Sequence, residues 1–218
     1  LVYIIGKQVK TRALNHGFFY LKNTYIYTME TTKLFDAIRT MYHNGLVQNQ
    51  VDSINAILAG AAKHGITDVR QISYMLATAY HEAGFLPLEE IGKGKGLAYG
   101  SKLDMGAGPG HRVPYDTPDV IYYGRGLVQL TWKCNYAQFG KMLGIDLVNH
   151  PELALNTTYA AEILVVGMQK GMFTGRKLAD YFNSTNPPDA LNARKIINGL
   201  DKAELISGYY QIILKSLT

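Results

Sequence analysis

The chain has 218 residues, 47% hydrophobic and 18% charged, a balance that excludes a disordered chain and leaves room for one domain with a real core. Its net charge of +5 and sequence pI of about 9.1 favour an anionic partner; the basic residues are scattered, with Lys93 and Lys95 the densest local group, so a nucleic-acid groove is not expected. The single cysteine, Cys134, excludes an intramolecular disulfide, and no run of about 18 apolar residues predicts a membrane span.

Residues 1–28 are rich in Tyr, Phe, Ile and Lys and stand before Met29. They lack the continuous apolar stretch and small-residue cleavage site of a signal peptide. They read either as a leader or upstream extension before a start at Met29, or as a genuine N-terminal arm. Helical signals begin at Thr31. Leu34, Phe35, Ile38 and Met41 recur at helical spacing, as do Val51, Ile54, Ile57, Leu58 and Ala61, with Gly65 as a stop. Thr67 is expected to cap the next helix, whose apolar face is Val69, Ile72, Met75, Leu76 and Ala79 and which ends at Gly84.

Glycines at 92, 94, 96, 100, 106, 108, 110 and 124, with Pro109, Pro114 and Pro118, then predict a long irregular segment. Segments of that length inside a compact domain are usually functional or disordered. Helices are expected to resume over 126–143, and again over 157–170 after a cap at Asn156. A loop at 183–188 follows. Asp189 can cap a helix ending at Gly199. Asp201 with Glu204 resembles a capping box for a last helix carrying Leu205, Tyr209, Ile212 and Ile213. No repeat or second-domain linker is visible. The pattern predicts a mainly α fold, one domain over 29–218, with a loop or small hairpin wall between residues 85 and 124.

The candidate chemistry lies around that wall. His81 and Glu82 occupy the end of a predicted helix. The helix C-terminus and the apolar neighbours Phe85 and Leu86 both disfavour a charged carboxylate at Glu82, as suits a proton donor. Glu89 and Glu90 stand on a loop, where a carboxylate stays solvated and ionised as a base should; the residues alone do not choose between them. Two carboxylates flanking a cleft suffice to hydrolyse a glycosidic bond. Thr131 and Asn135, four apart, are expected to share a helix face and hold a water. Leu130, Cys134 and Ala137 form an apolar stripe that puts Cys134 in the core. Tyr123 and Trp132 offer rings for stacking on sugar. A zinc protease needs His-Glu-x-x-His, and position 85 is Phe. A phosphate loop does not match the glycines at 92–101. A cysteine nucleophile conflicts with the register of Cys134. Retention of both carboxylates and Thr131 argues against an inactive sugar-binding module.

His81-Glu82, the run Tyr123 to Thr131, Asn135-Tyr136, the segments 143–147 and 149–154, and Ala193 to Gly199 together resemble the family 19 glycoside hydrolases. The resemblance covers residues 50–215. It is nearest the phage and prophage endolysin branch, since plant chitinases carry disulfides this chain cannot form and longer substrate-binding loops. It implies a lysozyme-like α fold with a cleft and an inverting mechanism. Glu82 matches the general acid, and Glu90 the general base, ahead of the Gly/Lys/Tyr-rich segment from Gly92 to Tyr99. Thr131 matches a residue that positions water. Gln129, Asn135 and Asn198 match sugar-binding positions, beside His81, Tyr123 and Trp132. The loop from Glu82 to Glu90 is shorter than in plant chitinases. The expected protein is a monomeric glycosidase with no metal and no cofactor, no nucleic-acid partner and no stable membrane insertion. It would be made in the bacterial cytoplasm without a clear signal peptide and act on the cell wall after release. Its polysaccharide substrate is peptidoglycan, or alternatively chitin.

Overall fold

The computed structural model describes residues 31–116 and 120–218; the segment 1–28, read above as leader or arm, lies outside them. Helices dominate. Helix α1 (residues 31–39) buries Leu34 and Ile38. Helix α2 (Gln48–Lys63) buries Ile54, Ile57 and Ala61, and Gln50 receives the Val47 N–H at its entry (3.0 Å). Helix α3 (Val69–Ala83) is capped by Asp68 rather than Thr67: the Asp68 carboxylate accepts the Arg70 N–H (2.9 Å). Gly84 closes α3 in the left-handed conformation (φ 54°), as its position in the sequence predicts.

Helix α5 (Thr157–Lys170) is the centre of the molecule. Asn156 caps it, accepting from the N–H groups of Thr158 (3.0 Å) and Tyr159 (3.3 Å). Every residue from Ala160 to Met168 is buried, and all but Glu162 are uncharged, the pattern of a helix surrounded by protein. A Cβ at Gly167 would meet the Phe173 ring at 2.3 Å, so packing there admits only glycine. Helix α2 packs on α5, and the last helix, α7 (Ala203–Leu217), packs on α3. Among the described residues, no helix is long and apolar enough to cross a membrane.

The wall expected between 85 and 124 consists of short strands. Strands β1 (Leu88–Glu89) and β4 (Arg125–Gly126) pair antiparallel, Leu88 opposite Gly126 and Glu89 opposite Arg125. Strands β2 (Leu103–Asp104) and β3 (Val113–Pro114) form a second two-stranded hairpin.

Several boundaries differ from those expected. Helix α4 (Lys133–Leu143) begins seven residues later than Gly126, because Gly126 (φ 84°), Gln129 (φ 51°) and Trp132 (φ 76°) take left-handed conformations that no helix tolerates. Residues 125–130 instead close a tight loop with reciprocal Arg125–Leu130 backbone bonds of 3.1 and 2.8 Å. After helix α6 (Leu178–Tyr181), the Asp189 carboxylate accepts the Asn192 N–H (3.0 Å) at the entry to a short 3-10 turn, Asn192–Ile196, which Leu191 precedes, rather than capping a helix that reaches Gly199. Asp201 does not cap α7; Lys202 precedes it at φ 60°. The buried face of α7 is Ala203, Ile206, Tyr210 and Ile213; of the residues expected on this helix Ile213 is buried, Tyr209 half-buried, and Leu205 and Ile212 exposed.

Candidate active site

Between α3 and β1 the chain reverses through two consecutive left-handed residues, Gly84 (φ 54°) and Phe85 (φ 60°). For a bulky side chain that conformation is strained. The Phe85 ring is fully buried, and its N–H reaches back to the Ala79 carbonyl (3.3 Å). The Gly84 carbonyl accepts from the Tyr42 hydroxyl (2.8 Å) and from Gln50 Nε2 on α2 (2.9 Å). This pinned turn fixes how Glu82, before it, and Glu90, after it, are presented.

Glu82 stands in the last turn of α3. Its Oε1 accepts from Arg194 Nη1, and the two side chains are only 17% and 5% exposed. Arg194 Nε also donates to the Asp201 carbonyl (3.0 Å). The apolar surroundings expected for Glu82 are therefore corrected to a half-buried ion pair, made by a residue 112 positions away. Arg194 lies in the segment from Ala193 to Gly199, and its only sequence signal is an arginine between Ala193 and Ile196, both buried. His81 beside Glu82 is half-buried. Burial lowers its imidazole below the ordinary histidine range, although Glu82 opposes the shift. Asn198 is exposed in the turn after Arg194, donating its N–H to the Arg194 carbonyl (3.1 Å) and accepting the Gly199 N–H (2.8 Å).

Glu90 emerges from β1 into a different environment from the solvated one expected. It is half-buried, and both carboxylate oxygens are held: Tyr99 donates its hydroxyl to Oε1 (2.8 Å) and Gly124 its N–H to Oε2 (2.9 Å). The Glu90 N–H donates to the Gly124 carbonyl (2.8 Å), so Glu90 holds both the N–H and the carbonyl of one residue of the neighbouring segment. A Cβ at Gly124 would lie 2.8 Å from Gln129 Oε1 and 3.4 Å from Glu90 Cβ, which explains the glycine. Glu89 points elsewhere. Its Oε1 accepts the Tyr123 hydroxyl (2.5 Å) and its Oε2 pairs with Lys93 (3.0 Å). The Tyr123 hydroxyl and then Lys93 hold the Glu89 carboxyl below the usual range.

The other candidates are placed as follows. Gln129 donates Nε2 to the carbonyls of Leu88 (3.0 Å) and Gly126 (3.2 Å), tying β1 to the loop after β4. The Tyr123 ring is buried with the Arg125 guanidinium 3.5 Å from its centroid; it is a packing group, not the stacking surface expected. Trp132 is half-buried, edge to face with Tyr99 (5.1 Å, 81°), and the Arg112 guanidinium lies 4.1 Å from its ring centroid. Thr131 precedes α4, so it does not share a helix face with Asn135. Instead Asn135 Nδ2 donates to the Thr131 carbonyl (2.8 Å), and Thr131 Oγ1 to the Gln129 carbonyl (2.9 Å). Cys134 is exposed rather than in the core, because α4 buries Tyr136, Phe139 and Gly140. Although the residue as a whole is exposed, partial burial and then Asp104 push its thiol up to about 11. That removes the thiolate a cysteine nucleophile would need.

The structure thus gathers His81, Glu82, Arg194 and Asn198 at the end of α3. It gathers Glu90, Tyr99, Gly124, Gln129, Thr131, Trp132 and Asn135 around the β1–β4 pair. Each group centres on one positioned carboxylate.

A sequence model of the family described as chitinase class I matches residues 54–165. An endochitinase of Arabidopsis thaliana is 35% identical over 136 residues, which are 60% of this chain and 44% of that protein. An inactive chitinase-like protein of Hevea brasiliensis is 56% identical over 36 residues, 16% of this chain and 12% of that one. The chain spans less than half the length of these curated relatives. Chitinase C from Streptomyces griseus, a solved structure, is similar in fold with a TM-score of 0.53 at 22% identity, covering 85% of this chain and 90% of that one.

Proposed function

Because the chain belongs to glycoside hydrolase family 19, that of the class I chitinases, we propose that it hydrolyses β-1,4 linkages between N-acetylated sugars with inversion. The observation that carries this reading is the pair of held carboxylates on either side of the Gly84–Phe85 reversal. Glu82 is the general acid. Arg194 engages its Oε1 and fixes the carboxyl plane, leaving Oε2 to deliver a proton to the leaving oxygen. Glu90 is the general base. An ionised carboxylate has about four lone-pair sites, so with one donor on each oxygen it still accepts a proton from water. The Thr131 hydroxyl, two residues from Gln129 in the same loop, is the second group on that water. In an inverting enzyme this water attacks the anomeric carbon from the face opposite the leaving group.

Peptidoglycan is the substrate favoured by charge: a chain of net charge +5 is drawn to the acidic polymers of a bacterial wall. Chitin is the second reading, supported by the endochitinase relative. Both polymers present β-1,4 bonds flanked by N-acetyl groups, so the same acid, base and water serve either. The experiment is digestion of purified peptidoglycan and chitin oligomers side by side, with products identified by mass spectrometry. Muropeptides released by the parent protein and not by Glu82→Gln support the wall reading. Chitooligosaccharides alone would replace it with the chitinase reading. One relative, similar over 36 residues, is named an inactive chitinase-like protein; no release from either polymer would make this chain a binding module.

A further inference from the structure

We infer that Tyr99 and Trp132 are positioning residues for the Glu90 carboxylate, acting as one edge-to-face relay clamped by Arg112. The inference rests on the reading of Glu90 as the base. Each link is a contact in the structure. Tyr99, in the 3-10 turn Tyr99–Ser101, donates its hydroxyl to Glu90 Oε1 at 2.8 Å. Its ring meets Trp132 edge to face at 5.1 Å. The Arg112 guanidinium lies 4.1 Å from the Trp132 centroid and is itself tied by Nη1 to the Met105 carbonyl (3.0 Å) at the end of the β2–β3 hairpin. The relay therefore joins the hairpin to the base.

Three further features show that the ring of Tyr99 is placed rather than merely accommodated. A Cβ at Gly94 would sit 2.9 Å from the Tyr99 ring, so the chain thins to glycine where the ring passes. The Tyr115 hydroxyl donates to the Tyr99 carbonyl (3.2 Å). Trp132 holds a positive φ of 76°, a conformation that costs a non-glycine residue free energy and persists where surrounding contacts over-determine it; its N–H is fixed to the Tyr122 carbonyl (2.9 Å). Burial, and then Glu90, keep the Tyr99 hydroxyl protonated well above the usual tyrosine range, so it remains a donor across the working pH. Other charged groups at this end include Glu89, which pairs with Lys93 (3.0 Å) and lies 4.0 Å from Arg125 Nε, Asp104, whose Oδ1 accepts the Cys134 N–H (3.2 Å), and Lys133, 5.4 Å from the Tyr115 ring centroid.

The relay fixes one oxygen of Glu90 while the Gly124 N–H fixes the other. A carboxylate held at both oxygens cannot rotate away from the water it must deprotonate, and such pre-organisation acts on the chemical step more than on binding.

The test uses Tyr99→Phe, which keeps the ring against Trp132 and removes only the hydroxyl, and Trp132→Leu, which removes the ring that holds Tyr99. For Tyr99→Phe, kcat is expected to fall about tenfold or more, the effect of losing a hydrogen bond to a charged group, with KM nearly unchanged. Trp132→Leu should lower kcat in the same way, and the double variant should show no further loss. The second arm is independent of hydrolysis. In protein labelled with ¹³C at the glutamate carboxyl carbons, the Glu90 resonance is identified by its absence from Glu90→Gln. It should titrate at higher pH in Tyr99→Phe than in the parent, because a donor to the ionised form has been lost. Trp132 is the chain's one tryptophan, so an unchanged emission spectrum verifies that Tyr99→Phe keeps the ring stack. An unchanged Glu90 titration, or equal losses in kcat and 1/KM, overturns the inference. A shifted titration in a protein that cleaves no glycan keeps the positioning role and removes the glycosidase reading instead.

Discussion

Glu82 and Arg194 form a contact in which each residue has its own measurable consequence. Glu82→Gln keeps size and hydrogen bonding but has no proton to give. Its kcat should fall by about 10² to 10⁴, the usual contribution of general acid catalysis, with a modest loss of Tm, because the amide oxygen still accepts from the buried guanidinium but no longer balances its charge. Arg194→Ala should lose more stability as well as activity, since it leaves a carboxylate that is 17% exposed without its guanidinium; removing one partner of a buried pair typically costs about 3–5 kcal/mol. Calorimetry beside steady-state kinetics separates the two. Near-parent activity in Glu82→Gln would remove it from the acid role. At the other carboxylate, Glu90→Gln should be severely impaired and Glu89→Gln should not, because Glu89 is committed to Tyr123 and Lys93. The reverse ranking, read from the same kinetics, would move the base to Glu89. Both glutamates and Glu82 stood out in the sequence because carboxylates beside a glycine-rich stretch are a local signal. Arg194 did not, since nothing local marks a contact made across 112 positions. The choice between Glu89 and Glu90 was equally hidden, because Glu89 ends β1, Glu90 follows it, and their partners Tyr123 and Gly124 each lie 34 positions away.

At the scale of elements, the helices were legible where caps and apolar periodicity agree. Asn156 and Gly84 mark ends of α5 and α3 in the sequence as in the structure. They were misread where backbone conformation overrides pattern. The apolar run Leu127, Val128 and Leu130 looks helical, but left-handed residues at 126, 129 and 132 turn it into a loop against β1. The α2–α5 contact carries a polar tie the sequence does not announce: Glu162 accepts from Lys63 Nζ (2.9 Å) and pairs with His64 Nε2 (2.7 Å), 99 and 98 residues away. Burial would raise the Glu162 carboxyl, but the hydrogen bonds and charges of His64 and Lys63 outweigh it and hold the group below its ordinary 4.5. A depressed folded value stabilises the protein above pH 4.5, and the contribution is lost as pH falls through 4.5 and then through the lower folded value. Glu162→Gln should therefore lower Tm at pH 7, at about 2–4 °C per kcal/mol lost for a chain of this size. The gap from the parent should close as pH approaches 3, where the parent's carboxyl is also neutral. A gap independent of pH, followed by circular dichroism melts across that range, would assign the loss to packing.

For the whole molecule, the proposed acid Glu82 and base Glu90 predict one stereochemical course. An inverting pair stands about 6.5–9.5 Å apart with water between, whereas a retaining pair stands about 5–5.5 Å apart. A β-linked oligosaccharide should release the α-anomer first, visible by proton NMR before mutarotation. An initial β-anomer would rule out Glu90 as the activator of water even if both glutamates proved essential. The site also depends on the full length of the described fold. The family match ends at residue 165, yet the partner of Glu82 is Arg194, and the helix that packs on α3 runs from Ala203 to Leu217. During synthesis, then, the residues of the family match leave the ribosome before Arg194 does. A nascent chain that stops short of residue 194 carries both glutamates without the guanidinium that Glu82 pairs with in the folded protein.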